Sequence, residues 1–251
     1  MPELPEVERA RQVIAGHALG RRIAAVDDTD GWVCRPHGPG EIADALIGRE
    51  LTAAHRRGKA MWCETSGEGP ALGLHLGMTG RIVVDAPESA TPGWDRFTLR
   101  FEDGGRLALR DKRRLGRVRL DPDLDGVGPD AAMIGREAFR ARVGRGTAPL
   151  KARLMDQRVL AGVGNLLADE ALWRARLDPQ RPAGDLTPGE LDRLRRELRA
   201  AVRSAVRLGG VHTGRLIQHR RPDGRCPRCR AELRRGTVGG RTTWWCPREQ
   251  L

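Results

Sequence analysis

Near residue 121 the hydrophobic period of the chain changes from that of strands to that of helices, and that change constrains the fold more than any other feature. From Ile23 to Leu120, apolar residues come in short runs broken by Gly, Asp and Pro: RIAAV, LTAAHRR, KAMWCE, LGLHLG, RIVVD, FTLRFEDG, GRLALRD and GRVRL. This spacing predicts short antiparallel strands in a sandwich or barrel. The segment DPDLDGVGPD, about residues 121–130, reads as a turn-rich linker. Beyond it REAFRARVG, LKARLMDQRVL, NLLADEALWRARL and PGELDRLRRELRAAVRSAVRLGG are amphipathic, the last with Thr187 as N-cap and Pro188 behind it. One helix precedes the strands over Glu6–Ala18, with Val7, Ala10, Val13 and Ile14 on one face and Pro5 in its first turn.

The C-terminal segment CPRCRAELRRGTVGGRTTWWCPREQL forms a further unit. Cys226 and Cys229 stand on one arm of a hairpin, Gly239-Gly240 at its turn and Cys246 on the other arm. This is the pattern of a small zinc finger. The fourth ligand position falls on Glu249, whose carboxylate can bind zinc. The rival reading is a metal-free hairpin held by Trp244 and Trp245. Cys34 and Cys63 lie in the strand-rich region and are expected to be buried, unpaired thiols. Between two of the helices, AGVGNLL places glycines before a helix N-terminus, whose backbone N–H groups suit a phosphate.

Charge narrows the partners. Residues 202–251 carry 12 Arg against three acidic residues, within a chain of net charge +12. Such a segment implies a polyanion, nucleic acid first. Mean hydropathy is −0.51, and no apolar run approaches the ~18 residues of a membrane span. The start is acidic and lacks an apolar leader, so a cytoplasmic, nucleoid-associated location is expected. Arg outnumbers Lys 42 to 3. Lysine, unlike arginine, can lose its proton and serve as a base, which singles out Lys59, Lys112 and Lys151.

The opening MPELPEVE, Lys59 in RRGKAMW, HLGMTGR at 75–81, DKRRLGR at 111–117, LMDQRVLAGVGNLLADEALWRARLDP at 154–179 and the C-terminal finger occur in that order. Together they resemble the formamidopyrimidine-DNA glycosylase / endonuclease VIII family of base-excision repair enzymes, over the full chain. The resemblance implies an α+β multidomain protein with three parts. These are an N-terminal antiparallel β sandwich with an N-terminal helix (1–125), a helix–two-turn–helix domain (130–212) and a C-terminal β-hairpin zinc finger (220–251). It implies damaged double-stranded DNA as partner, a monomer, no membrane, and one structural Zn2+ held by Cys226, Cys229, Cys246 and Glu249.

It also assigns roles. Removal of Met1 exposes Pro2 as a secondary amine titrating near ~8, which attacks C1′ of the damaged nucleotide, expels the base and leaves an iminium. Glu3 then passes protons to the opened sugar, and Lys59, expected on a strand, supports proton transfer. Met78, Arg113 and Leu115 fill the gap left by the flipped base. Lys151 and Asn165 hold phosphates flanking the lesion, and Arg241 reaches the phosphates at it. The implied activity is a bifunctional glycosylase with β,δ-lyase action on oxidised bases. Three departures stand out: Leu115 replaces a wedge phenylalanine, Trp94-Asp95-Arg96 replaces a histidine-containing triplet, and only 15 residues separate Gly210 from Cys226. Members specific for 8-oxoguanine carry a longer loop there, which argues against that base. A non-catalytic damage-binding protein on the same scaffold is the competing reading, and it has no use for Pro2, Glu3 and Lys59 together. A zinc-ribbon RNA-binding protein would explain the basic C-terminus but not the start.

Overall fold

In the computed structural model, which describes residues 2–85 and 93–251, the strand-like period ahead of residue 121 is matched by strands. All eight runs between Ile23 and Leu120 form strands: β1 (Ile23–Asp27), β2 (Leu51–Arg57), β3 (Ala60–Thr65), β4 (Leu72–His75), β5 (Arg81–Asp85), β6 (Asp95–Phe101), β7 (Arg106–Arg110) and β8 (Arg117–Leu120). They pair antiparallel in two four-stranded sheets, ordered β1-β6-β7-β5 and β2-β3-β4-β8. One core, including Ile23, Leu51, Met61, Leu74, Phe97, Leu99 and Leu109, joins the inner faces of this β sandwich. Alternation along β3 buries Met61, Cys63 and Thr65 and leaves their neighbours less covered. Cys34 and Cys63 are buried, unpaired thiols, both pushed up to about 12 by burial.

The N-terminal helix, α1, runs Leu4–His17, starting earlier and ending one residue sooner than the sequence pattern. No local pattern signals α2 (Glu41–Leu46). Its cap explains why: the Asp28 carboxylate accepts from the N–H groups of Gly40, Ile42 and Ala43 at 2.8–3.2 Å, so the capping residue lies twelve residues upstream.

The chain divides into two compact units, Val7–Asp125 with the first two residues, and Gly126–Leu251 with Glu3–Glu6. The second is helical: α3 (Arg136–Val143), α4 (Leu150–Met155), α5 (Asn165–Ala175) and α6 (Pro188–Leu208). α5 is buried almost all round, which suits a central helix. α6 opens with a capping box. The Thr187 hydroxyl accepts from the Glu190 N–H at 3.3 Å, and the Glu190 carboxylate accepts from the Thr187 N–H at 2.8 Å. The Arg181 guanidinium beside Glu190 helps bring that carboxyl down to about 2. α4 is shorter than the run LKARLMDQRVL because Asp156 leaves the helix in an extended conformation and folds Arg158, Val159 and Leu160 back in a turn. The same unit carries the hairpin of β9 (Arg234–Val238) and β10 (Arg241–Trp245), turning at Gly239-Gly240. A Cβ on Gly239 would lie 2.8 Å from the Ala152 Cβ, so the turn meets α4 through a residue without a side chain. No helix among the described residues is long and apolar enough to cross a membrane.

Candidate active site and DNA-facing residues

The two acidic residues at the start have structural partners far along the chain. The Glu3 carboxylate, 1% exposed, accepts from the backbone N–H groups of Gly164, Leu166 and Leu167 at 3.0, 2.9 and 3.0 Å. These are the groups at the α5 N-terminus that the sequence offered to a phosphate. The structure corrects that reading: the chain's own carboxylate occupies them, favoured by the unsatisfied N–H groups and the positive end of the helix dipole. Gly164 is required for this, since a Cβ there would fall 2.3 Å from the Glu3 Cδ. Glu6 adds a second anchor, accepting from the Glu3 N–H at 2.9 Å and the Val211 N–H at 2.7 Å. The half-buried Pro2 therefore precedes a residue held through both backbone and side chain. Met1 lies outside the described residues.

Asn165 is the first residue of α5, and its Oδ1 is buried with no hydrogen-bond partner among the described residues. Further along α5, Asp169 and Glu170 are both buried. Asp169 pairs with Lys151 at 2.7 Å and Arg220 at 2.9 Å, and accepts weakly from the Trp244 N–H at 3.3 Å. Glu170 accepts from the Leu216 N–H at 2.9 Å and from Arg174 at 2.7 Å.

Lys151 contradicts its sequence assignment. Its side chain is 0% exposed, donating to the Thr243 hydroxyl at 2.7 Å and the Thr242 carbonyl at 3.3 Å besides pairing with Asp169. A cation so enclosed cannot reach a phosphate. Burial pushes Lys151 down and Asp169 up from their usual values, and their mutual attraction opposes both shifts. What Lys151 does is tie α4 and α5 to β10, at whose first position the exposed Arg241 stands.

In the first unit, Lys59 stands in the two-residue turn between β2 and β3, not on a strand. Arg57 pairs with Ala60, and Gly58 supplies the positive φ of 63° that such a turn needs. His75 accepts from the Gly77 N–H through Nδ1 at 3.1 Å. Burial first, then the charges of Lys59, Arg117 and Arg119, lower its pKa, so its ring is more readily neutral.

Met78, Arg113 and Leu115 are brought together by a residue the sequence reading did not single out. Asp111, 0% exposed, accepts from the Thr79 hydroxyl at 2.6 Å and from the N–H groups of Arg113, Leu115 and Gly116 at 3.1, 2.7 and 2.8 Å. Burial raises its pKa, but these four donors outweigh it and hold the carboxyl below the usual carboxylate range. Gly77, at φ 59°, lets the two loops touch, because a Cβ there would sit 2.4 Å from the Leu115 carbonyl. The available signal was an Asp four and five residues before the Leu-Gly of DKRRLGR, the reach of a side chain closing its own turn. Met78 is 42% exposed, Arg113 is exposed and Leu115 is half-buried. In the substituted triplet, Asp95 is buried between Arg106 and Arg110 at 2.9 and 2.6 Å, and Trp94 is exposed with Lys112 over its ring.

The sulfur atoms of Cys226, Cys229 and Cys246 lie within 4.8 Å of one another, a soft donor set of the kind zinc prefers. The Trp173 indole donates to the Cys226 sulfur at 3.4 Å. Glu249 does not join them: its carboxylate stands 3.5 Å from both Arg228 and Arg176, and the group of converging ligands among the described residues is the three thiols alone. The expected fourth ligand is thus corrected to an arginine-bound carboxylate.

With this geometry in place, the comparisons decide the family. Residues 1–118 match the formamidopyrimidine-DNA glycosylase N-terminal domain and residues 126–215 the H2TH domain of the same enzymes. The chain belongs to the formamidopyrimidine-DNA glycosylase family. It is 35% identical to formamidopyrimidine-DNA glycosylase of Chloroflexus aurantiacus, with 100% of this chain and 98% of the relative aligned. Among solved structures it is similar to the Lactococcus lactis Fpg in complex with an abasic site containing DNA, at TM-score 0.86 and 27% identity over 99% of both chains. It is likewise similar to the Lactococcus lactis enzyme with an oxidized pyrimidine containing DNA, at TM-score 0.87 and 28% identity over 99% of both. Family membership makes the protein a DNA glycosylase of base-excision repair.

Proposed function

We propose that the protein binds damaged double-stranded DNA, excises an oxidised base through the amine of Pro2 and cleaves the strand by β,δ-elimination. The observation that carries this reading is the placement of Glu3. A carboxylate locked to the α5 N-terminus by three N–H bonds sits one peptide bond from Pro2, a more expensive arrangement than a mere helix start would need. With Met1 removed, the Pro2 secondary amine attacks C1′, the base departs and an iminium remains. Glu3 carries protons to and from the opened sugar, and Lys59 supports that transfer from the β2–β3 turn. Asn165 and Arg241 hold phosphates near the lesion, and Met78, Arg113 and Leu115 fill the space of the flipped base. Lys151 positions the hairpin that presents Arg241.

Cys226, Cys229 and Cys246 would hold zinc, which supplies a structural cross-link between the arms of the hairpin and takes no part in the reaction. Between Gly210 and Cys226 the backbone folds into two single 3-10 turns, Val211–Thr213 and Ile217–His219. A segment this short offers few contacts over a purine, which supports oxidised pyrimidines or formamidopyrimidine over 8-oxoguanine as substrate.

The test is a panel of duplexes carrying 8-oxoguanine, formamidopyrimidine, thymine glycol, dihydrouracil or an abasic site, assayed for excision and for borohydride trapping. Excision with trapping supports the enzyme. Tight binding with neither would make the protein a damage-binding scaffold, and robust removal of 8-oxoguanine opposite cytosine would overturn the substrate preference.

A further inference from the structure

Away from every residue assigned above, α3 and α6 enclose a groove of about 320 Å³ lined by Arg136, Arg195, Arg196, Arg199, Arg203 and Asp192. The α6 members recur at three- and four-residue spacing, so they form one stripe beside the buried face of Leu191, Leu194, Leu198 and Val202. Five guanidinium groups share this lining with one carboxylate, Asp192, which is already engaged by Arg140 from α3; Arg196 also stands 3.5 Å from Glu197 at the edge of the groove. Arg195 is held in place by its own bond to the Ile134 carbonyl at 2.7 Å. The Nε of Arg199 is buried with no hydrogen-bond partner among the described residues. A concave cluster of like charges, with one buried donor unpaired, suits an anion. Guanidinium forks match phosphate oxygens in pairs. The stripe from Arg195 to Arg203 covers about 12 Å of helix, room for more than one phosphate.

We propose that this groove binds the sugar–phosphate backbone of a second nucleic-acid segment, separate from the duplex whose lesion is processed. The proposal rests on the glycosylase reading for its partner, but shares no residue with the lesion site. Such a contact would let the protein hold one segment while it searches or repairs another.

The test uses the full chain saturated with a short duplex containing an abasic-site analogue, to which a labelled single strand is then added and followed by anisotropy across salt concentrations. Wild type should bind the second strand saturably. R199Q/R203Q should weaken that second binding about tenfold at low salt. It should also make the slope of log K against log salt shallower by about 1.4, two phosphate contacts at about 0.7 each. R136Q, on the other helix, should weaken it less, and covers the case in which the double variant fails to fold. Duplex affinity and strand cleavage should not change. Absence of second-strand binding in wild type, or unaltered second-strand binding in folded R199Q/R203Q, overturns the proposal. Failure to bind the damaged duplex would instead strike the glycosylase reading, and the groove is then read from the strand alone.

Discussion

Two buried carboxylates, Glu3 and Asp111, use the same device for different ends. Each accepts from three backbone N–H groups and is at most 1% exposed. Glu3 draws its partners from about 160 residues away, and the group being placed is the carboxylate itself together with the neighbouring Pro2. Asp111 draws its N–H partners from the next five residues, and what it places are other side chains, Arg113 and Leu115, with Met78 across the Gly77 contact. The first arrangement fixes a chemical group inside the protein, and the second fixes side chains at the surface, those proposed to meet the DNA. Long-range bonding suits the first because, in the proposed mechanism, the reacting atoms must hold their geometry through the reaction. Local bonding suffices for the second, where shape matters more than proton position.

Breaking the Glu3 side should cost most. Glu3→Gln should slow base excision by about 10²–10⁴-fold, the usual contribution of a positioned proton carrier. Cleavage at a preformed abasic site should fall less, because that reaction omits base departure. Single-turnover rates on the two substrates give the comparison. Gly164→Ala should move the same way without touching a functional group, since its Cβ displaces the Glu3 carboxylate. A loss of about 2–3 kcal/mol in thermal stability should accompany the fall in excision.

Asp111→Asn is the matching break on the other side. The amide must turn its NH2 either toward the N–H groups of Leu115 and Gly116 or toward the Arg113 N–H beside the Thr79 hydroxyl, so at least one N–H loses its acceptor, costing about 1–3 kcal/mol. Excision from intact lesions should fall more than cleavage at abasic sites, where no base has to be flipped. The pH dependence sharpens the point. The Asp111 carboxyl is held below its unfolded value, so its stabilisation is complete above about pH 4 and lost as pH falls through the lowered value. Asp111→Asn should therefore flatten the acid limb of stability.

The smallest effect should come from Thr187→Ala, which removes one half of the α6 capping box. About 1 kcal/mol of stability should go, with excision and abasic-site cleavage both unchanged. This separates loss of stability from loss of placement.

What the sequence reveals depends on how far each interaction reaches. Strand runs such as KAMWCE and RIVVD carry their own period and turn residues, as Thr187 and Pro188 carry the start of α6, so all of these were legible. α2 was not, because its cap is Asp28, outside any local window. The motif residues drew attention to Glu3 and Asn165, but nothing local connects Glu3 to the N–H groups of Gly164, Leu166 and Leu167. Lys151 stands out in the sequence as one of three lysines, but its burial against Asp169 and Thr243 is a tertiary fact that no local pattern carries. Glu249 failed as a ligand for the same reason: ligand spacing is visible in sequence, and the competing pull of Arg176 and Arg228 is not.

The central claim is that the nitrogen of Pro2, set by the locked Glu3, is the nucleophile. Borohydride reduction during reaction with abasic-site DNA, followed by proteolysis and mass spectrometry, locates the covalent bond directly. The account predicts the adduct on an N-terminal peptide that begins at Pro2, with Met1 absent, and its loss in Pro2→Gly. An adduct mapped to Lys59, or one formed by protein that retains Met1 quantitatively, would contradict it.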